Sequence, residues 1–197
     1  MADEKYPRVE IGKYIVADPS IGHGQPTFQG TRVLVHRVIK SFRRGKTLDE
    51  VAAGYRLPRE GVVEGLYLAA KALFEKYSVP YPEPLPMEEL LKLPPDYRDE
   101  KYPRVKIGKY LVADPYICHG HPTVRGTRVL VHIVTEEFST GETLDEVAAD
   151  YKISREAVIE GLSLAAEALL EKYSVPYPEP LPMDELLKLN PAHQSAL

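Results

Sequence analysis

The sequence predicts an α+β protein, mainly α, made of two tandem copies of one unit that pair as an intramolecular pseudo-dimer. Three observations carry this expectation. Residues 5–94 align without a gap onto residues 101–190, with about 65 of about 90 aligned positions identical. Within each copy a short β-branched stretch precedes three stretches of helical spacing, which predicts a short β element and a three-helix bundle. The longest of the three is apolar on two adjacent faces, one more than its own unit can cover.

Each element follows from local chemistry. "KYIVAD", ending at Asp18-Pro19, alternates and reads as a short strand, and a second short strand near "PTFQ" leads to Gly30-Thr31-Arg32. With so few strands per copy, the β segments are expected to pair across the pseudo-twofold axis. Val35, Val38, Ile39 and Phe42 keep helical spacing up to Gly45, a natural C-terminal stop. Thr47 with Glu50 forms a capping box that opens a second, short helix. The third helix starts near Pro58 in one copy and Ser154 in the other, and runs to about Tyr77, roughly five turns. Val62, Leu66, Ala69 and Leu73 make one stripe for the unit's own core. Val63, Tyr67, Ala70 and Phe74 make another, for the sister repeat.

Each unit closes with "SVPYPEPLP" and a short amphipathic "MEELLKL" or "MDELLKL". The prolines make this an extended, stiff arm, lying across the partner half or serving as a docking tail for another protein. The expected division is a first unit, 1–95, with core 13–77 and arm 78–93. A linker at 96–100 in the charged, proline-rich joint leads to a second unit, 101–197, with core 109–173 and arm 174–189.

Composition narrows the function classes. A formal net charge of −4 over 197 residues argues against broad attraction to nucleic acid but permits a local basic patch. The single cysteine, Cys118, excludes an internal disulfide, the charged opening "MADEKYPRVE" has no apolar core, and no apolar run is long enough to span a bilayer. A cytoplasmic location without membrane association is expected.

The repeated segment "DPSIGHGQPTFQGTR" and "DPYICHGHPTVRGTR" could be a phosphate loop, a metal site or a folding device. Its glycines do not run into a helix, and the lysine and hydroxyl of a nucleotide-binding loop are missing, so no cofactor is expected. Cys118, His119 and His121 are possible metal ligands, yet the first copy keeps only His23, and no metal is expected. Arg32 and Arg128 either pair with Asp18 and Asp114 or are free for a phosphate. No nucleophile–base signature or paired loop carboxylates appear, His36 and His132 fall inside the first helix of each unit, and an enzyme is not expected.

The copies diverge most at the end of that helix. Arg37, Lys40, Arg43, Arg44 and Lys46 in the first become Ile133, Glu136, Ser139, Thr140 and Glu142 in the second, beside Glu137. Only the first half presents a basic patch suited to phosphate contacts, and a solvated charged face is the competing reading. With Arg32, Arg59, Arg128 and Arg155, these five are the candidate DNA-binding residues. The third helix is a poor groove reader, because Glu60 and Glu64, or Glu156 and Glu160, accompany its lone arginine.

The succession of "DP", "GHGQPTFQGTRVLV", "TLDEVAAGY" and "REGVVEGLYLAAKAL" resembles the domain of unknown function 433 family, over about residues 13–75 and 109–171. The resemblance implies a helix-turn-helix-like, homeodomain-like three-helix core. It also implies a likeness to VapB-type antitoxins, encoded beside toxins that resemble PIN-domain ribonucleases. Three function classes follow. The first is a non-enzymatic antitoxin-like regulator that binds a PIN-type toxin, with operator DNA as a further candidate partner through the first repeat. The second is a protein-interaction or scaffold module without nucleic-acid binding. The third, an enzyme or metal protein built on the "CHGH" loop, has the least support.

Overall fold

Each half builds its own three-stranded antiparallel sheet, so the expected strand pairing across the pseudo-twofold axis does not occur. The computed structural model describes residues 7–83, 86–90, 92 and 99–177. In the first half β1 (Val9–Glu10) pairs with β2 (Ile15–Ala17), and β2 pairs with β3 (Pro26–Phe28) in the register Ile15↔Phe28. The second half repeats this with β4 (Val105–Lys106), β5 (Leu111–Ala113) and β6 (Pro122–Val124). The missing strand is β1 or β4: two exposed residues carry no alternation that a pattern could reveal.

The sheet is tied to the helices by one carboxylate per half. Glu64 accepts from the backbone N–H groups of Lys13 and Tyr14, at 2.8 and 2.7 Å. Glu160 does the same for Lys109 and Tyr110. These donors sit in the turn between the first two strands of each sheet, and the carboxylates satisfy them there.

The helices are α1 (Val35–Ser41), α2 (Leu48–Tyr55), α3 (Arg59–Tyr77) and the short α4 (Met87–Leu90), then α5 (Val131–Glu137), α6 (Leu144–Asp150) and α7 (Arg155–Tyr173). The predicted capping box of Thr47 with Glu50 forms, and its counterpart, Thr143 with Glu146, forms as well. Ser154 caps α7 by accepting from Ala157 N, whereas Pro58 in the matching position of α3 offers no side-chain acceptor.

The two halves share one hydrophobic core. The long helices α3 and α7 cross each other, α3 also packs on α5, and α7 packs on α1. Ala69, Ala72, Ala165 and Ala168 are all buried, and such small residues let two backbones approach closely. The ring of Phe42 meets its own counterpart, Phe138, with centroids 5.3 Å apart, and neither side chain is exposed. Two reciprocal ion pairs, Lys76 with Glu171 and Lys172 with Glu75, repeat the same twofold relation. Of the stripe expected to face the sister repeat, Ala70 is buried and Phe74 lies on rings of the second half. Tyr67 is 56% exposed and does not belong to that stripe.

One contact breaks the symmetry by charge. Lys40 Nζ lies 3.3 Å from Glu167 Oε1, joining α1 of the first half to α7 of the second. At the matching positions the signs are exchanged, with Glu136 for Lys40 and Lys71 for Glu167. Pairing two first halves would set Lys40 against Lys71, and pairing two second halves would set Glu136 against Glu167. The pair is partly exposed, so Lys40→Glu is expected to cost only about 0.5–1 kcal/mol in urea unfolding. Adding Glu167→Lys should recover that loss, and additive costs in the double variant would show that the pair does not couple the halves.

Candidate functional site

The duplicated loop is a receptor for the other half's arm. In "GHG" and "CHG" the backbone turns left-handed at three successive residues, with φ of 59°, 58° and 73° at Gly22, His23 and Gly24, and 48°, 55° and 78° at Cys118, His119 and Gly120. The turn presents a carbonyl outward. Val79 N donates to Gly120 O at 2.9 Å, and Val175 N donates to Gly24 O at the same distance, so the arms are exchanged reciprocally. Tyr81 packs edge-on against His119, and Tyr177 against His23. Of the two roles expected for the arms, lying across the partner half holds as far as Tyr81 and Tyr177. Residues 178–189 of the second arm and 96–98 of the expected linker lie outside the described residues, as do 84–85, 91 and 93 of the first arm.

The same geometry disperses the three ligand candidates. His119 faces Tyr81, His121 Nδ1 lies 3.0 Å from Ser78 Oγ with its ring on Phe74, and Cys118 Sγ points to the carbonyl of Arg128. Among the described residues no three His, Cys, Asp or Glu side chains are grouped to hold a metal ion.

The arginines separate into two sets. Arg59 pairs with Asp49 at 3.1 Å and Arg155 with Asp145 at 3.3 Å, so both brace the turn between the second and third helices of their half. Asp114 takes Arg104, at 2.7 Å, rather than Arg128. Asp18 accepts from Ser20, which holds its carboxyl below the ordinary range, with Arg8 assisting. Arg32 and Arg128 lie on the turns after β3 and β6. The arginines that act on Asp114 and Asp18, Arg104 and Arg8, come instead from the segments leading into β4 and β1, which no motif marks.

Arg37, Arg43, Arg44 and Lys46 lie around the end of α1 and the 3-10 turn that follows, and each is exposed. Between α1 and α2 lies a cavity of about 280 Å³ lined by His36, Arg37, Lys40, Ser41, Arg44 and Tyr55. His36 is half-buried, its Nδ1 has no hydrogen-bond partner among the described residues, and burial pushes its pKa down, with Lys40 and Arg37 adding to the shift.

At the matching positions of the second half the signs are reversed. Tyr151, the counterpart of Tyr55, donates its hydroxyl to Glu137 Oε1 at 2.5 Å. That bond, with burial and the neighbouring carboxylates, pushes the phenol up to about 12. Glu142, where the first half has Lys46, is raised by burial and by Glu137, Asp150 and Glu146. Ser41 stands in the place of Glu137, and its hydroxyl turns back to Val38 O at 2.6 Å.

The third helix of each unit, the reader in a helix-turn-helix protein, is the centre of the fused pair here. Its middle is buried against the other half, and Glu64 and Glu160 are engaged with the β turns. Its first turn, at Arg59-Glu60 or Arg155-Glu156, is open, as is the outer face that carries Tyr67 and Lys71, or Glu167. Among the described residues no helix is long and apolar enough to cross a membrane.

No curated protein and no solved structure matches the chain. The family described as protein of unknown function (DUF433) matches twice, over residues 15–67 and 111–165, each match running from the central strand of a sheet into the third helix. With both halves matched over more than half of the sequence, the chain belongs to that family as a tandem-duplicated member.

Proposed function

We infer that the protein is a non-enzymatic, antitoxin-like regulator that binds a PIN-type toxin and, through its first half, contacts DNA by phosphate rather than by base. The observation that carries the DNA side is the cluster of exposed Arg43, Arg44 and Lys46, with Arg155 of the second half close by. A Cβ at Gly45 would lie 3.9 Å from Arg155 Nη2, so a guanidinium of the second half, paired through its Nε with Asp145, borders the patch. The toxin side rests on the likeness to VapB-type proteins.

The test is binding of the purified chain to a labelled fragment of its own upstream DNA across a salt series, beside Arg43→Glu/Arg44→Glu. Binding should weaken with salt, and the double variant should lose it or lower the salt slope by about two. In parallel, co-expression with a PIN-type ribonuclease encoded next to it should suppress the ribonuclease's activity in a stable complex. No DNA binding at low salt and no inhibition would discard the regulator.

A second reading, an interaction module without nucleic acid, is favoured by one observation. The helix that would enter a groove packs one face along the other half, so the usual base-reading element is only partly accessible.

A further inference from the structure

We propose that the α1–α2 pocket of the first half is a binding site for a phosphate group, received by Arg37, Lys40, Arg44 and the Tyr55 hydroxyl. The second half supplies the template. There, at the matching place, a carboxylate of the chain itself, Glu137, accepts from Tyr151. The first half keeps the tyrosine and the histidine, His36 for His132, replaces the carboxylate by Ser41, and surrounds the place with Arg37, Lys40 and Arg44. An anion that the second half carries internally must come from outside in the first.

Size and charge select phosphate. The cavity of about 280 Å³ exceeds the needs of a chloride or a bare carboxylate and leaves room for an esterified group. Among the described residues no acidic side chain lines it. Lys40 is shared with Glu167, which lies 3.3 Å from its Nζ, whereas Arg37 and Arg44 are exposed. Two guanidinium forks and a phenol match the three oxygens of a phosphate better than the two of a carboxylate. Unlike DNA reading, this site needs no groove and does not depend on the regulator role.

Two variants copy residues that the second half carries at the matching positions. Arg37→Ile/Arg44→Thr copies Ile133 and Thr140, and Ser41→Glu copies Glu137. Calorimetric titration of the full chain would use inorganic phosphate, adenosine 5′-monophosphate and a short DNA duplex. The expected result is saturable binding of phosphate, weakened about tenfold or more in the double arginine variant, where charge-assisted bonds are removed. Ser41→Glu should abolish it too. It should also move one tyrosine to a higher pKa in ultraviolet titration, as a new bond from the Tyr55 hydroxyl to the introduced carboxylate requires.

The ligands separate the sources. Tighter binding of the nucleotide than of the duplex identifies a small phosphate ester, and the reverse identifies a backbone phosphate. Binding that persists unchanged in both variants, or none that saturates with any of the three, overturns the site. Loss of duplex binding in Arg43→Glu/Arg44→Glu with phosphate affinity kept in Arg43→Glu alone would separate this pocket from the surface patch.

Discussion

Phe42→Ala is expected to destabilise the entire chain by about 3–5 kcal/mol and to leave one unfolding transition, not two. Phe42 and Phe138 have no exposed surface, and they meet across the pseudo-twofold axis. The buried residues of both halves form one continuous cluster, so a cavity opened in one half is felt by the other. If the repeats were independent beads, the same substitution would shift one half's transition and leave the second at its original midpoint. Denaturant unfolding followed by far-ultraviolet circular dichroism distinguishes the cases. The loss also lowers the thermal midpoint by about 2–4 °C per kcal/mol for a chain of this size. Phe138→Ala should act alike, because its environment is the same contact seen from the other side. Two separated transitions in the wild type would dismiss the shared core.

The single core explains how much of the fold was legible in the sequence. The helices, their stops and the capping boxes were readable because each rests on residues three or four apart, and Thr47 with Glu50 needs nothing beyond its own turn. The surplus apolar face of α3 was readable as a demand for a partner, and Phe74, on rings of the second half, meets that demand. The sheets are not legible in the sequence, because β1 and β4 carry one Val and one charged residue each, exposed, with no buried face to betray them. Their place is fixed by backbone pairing to a neighbour, which side-chain pattern does not encode.

The candidate site divides along the same line. The basic run at Arg43-Arg44 was visible as charge, and its reversal in the second copy was visible by comparing the repeats. That the reversal surrounds a pocket was not visible, because Tyr55 and Tyr151 lie 14 residues beyond the positions they face, on another helix. Glu64 and Glu160 counted as groove-facing acids on a helix face, whereas their carboxylates turn to backbone N–H groups some 50 residues earlier in the chain. Long-range satisfaction of a donor leaves no local trace in sequence. The glycines of the loop were rightly read as backbone devices, but the backbone they admit belongs to the opposite half.

Gly120→Ala is expected to release the arm of the first half from the second. A Cβ at Gly120 would sit 2.1 Å from Val79 O, a backbone atom that cannot turn aside, and φ there is +78°. Gly126→Ala provides the matched control, since its φ of +79° is nearly the same and no atom of the described residues lies within 4 Å of the added methyl. The control therefore measures the left-handed backbone cost alone, about 1–2 kcal/mol. Gly120→Ala should cost about 1–3 kcal/mol more, because it also loses the Val79–Gly120 hydrogen bond and the packing of Tyr81 on His119. Hydrogen exchange at Val79 N–H should accelerate in Gly120→Ala and stay slow in Gly126→Ala. Gly24→Ala, whose Cβ would meet Val175 O at 2.1 Å, should free the other arm in the same way, with Gly30 as its control at φ +75°. Equal costs for Gly120→Ala and Gly126→Ala, with Val79 still protected, would mean that the arm rests on the loop without being held by it. The predicted difference instead gives the duplicated segment its reason. Each half needs a left-handed glycine turn of its own because each must grip the strand-like arm that the other half sends across, and one copy of the loop could hold only one of the two arms.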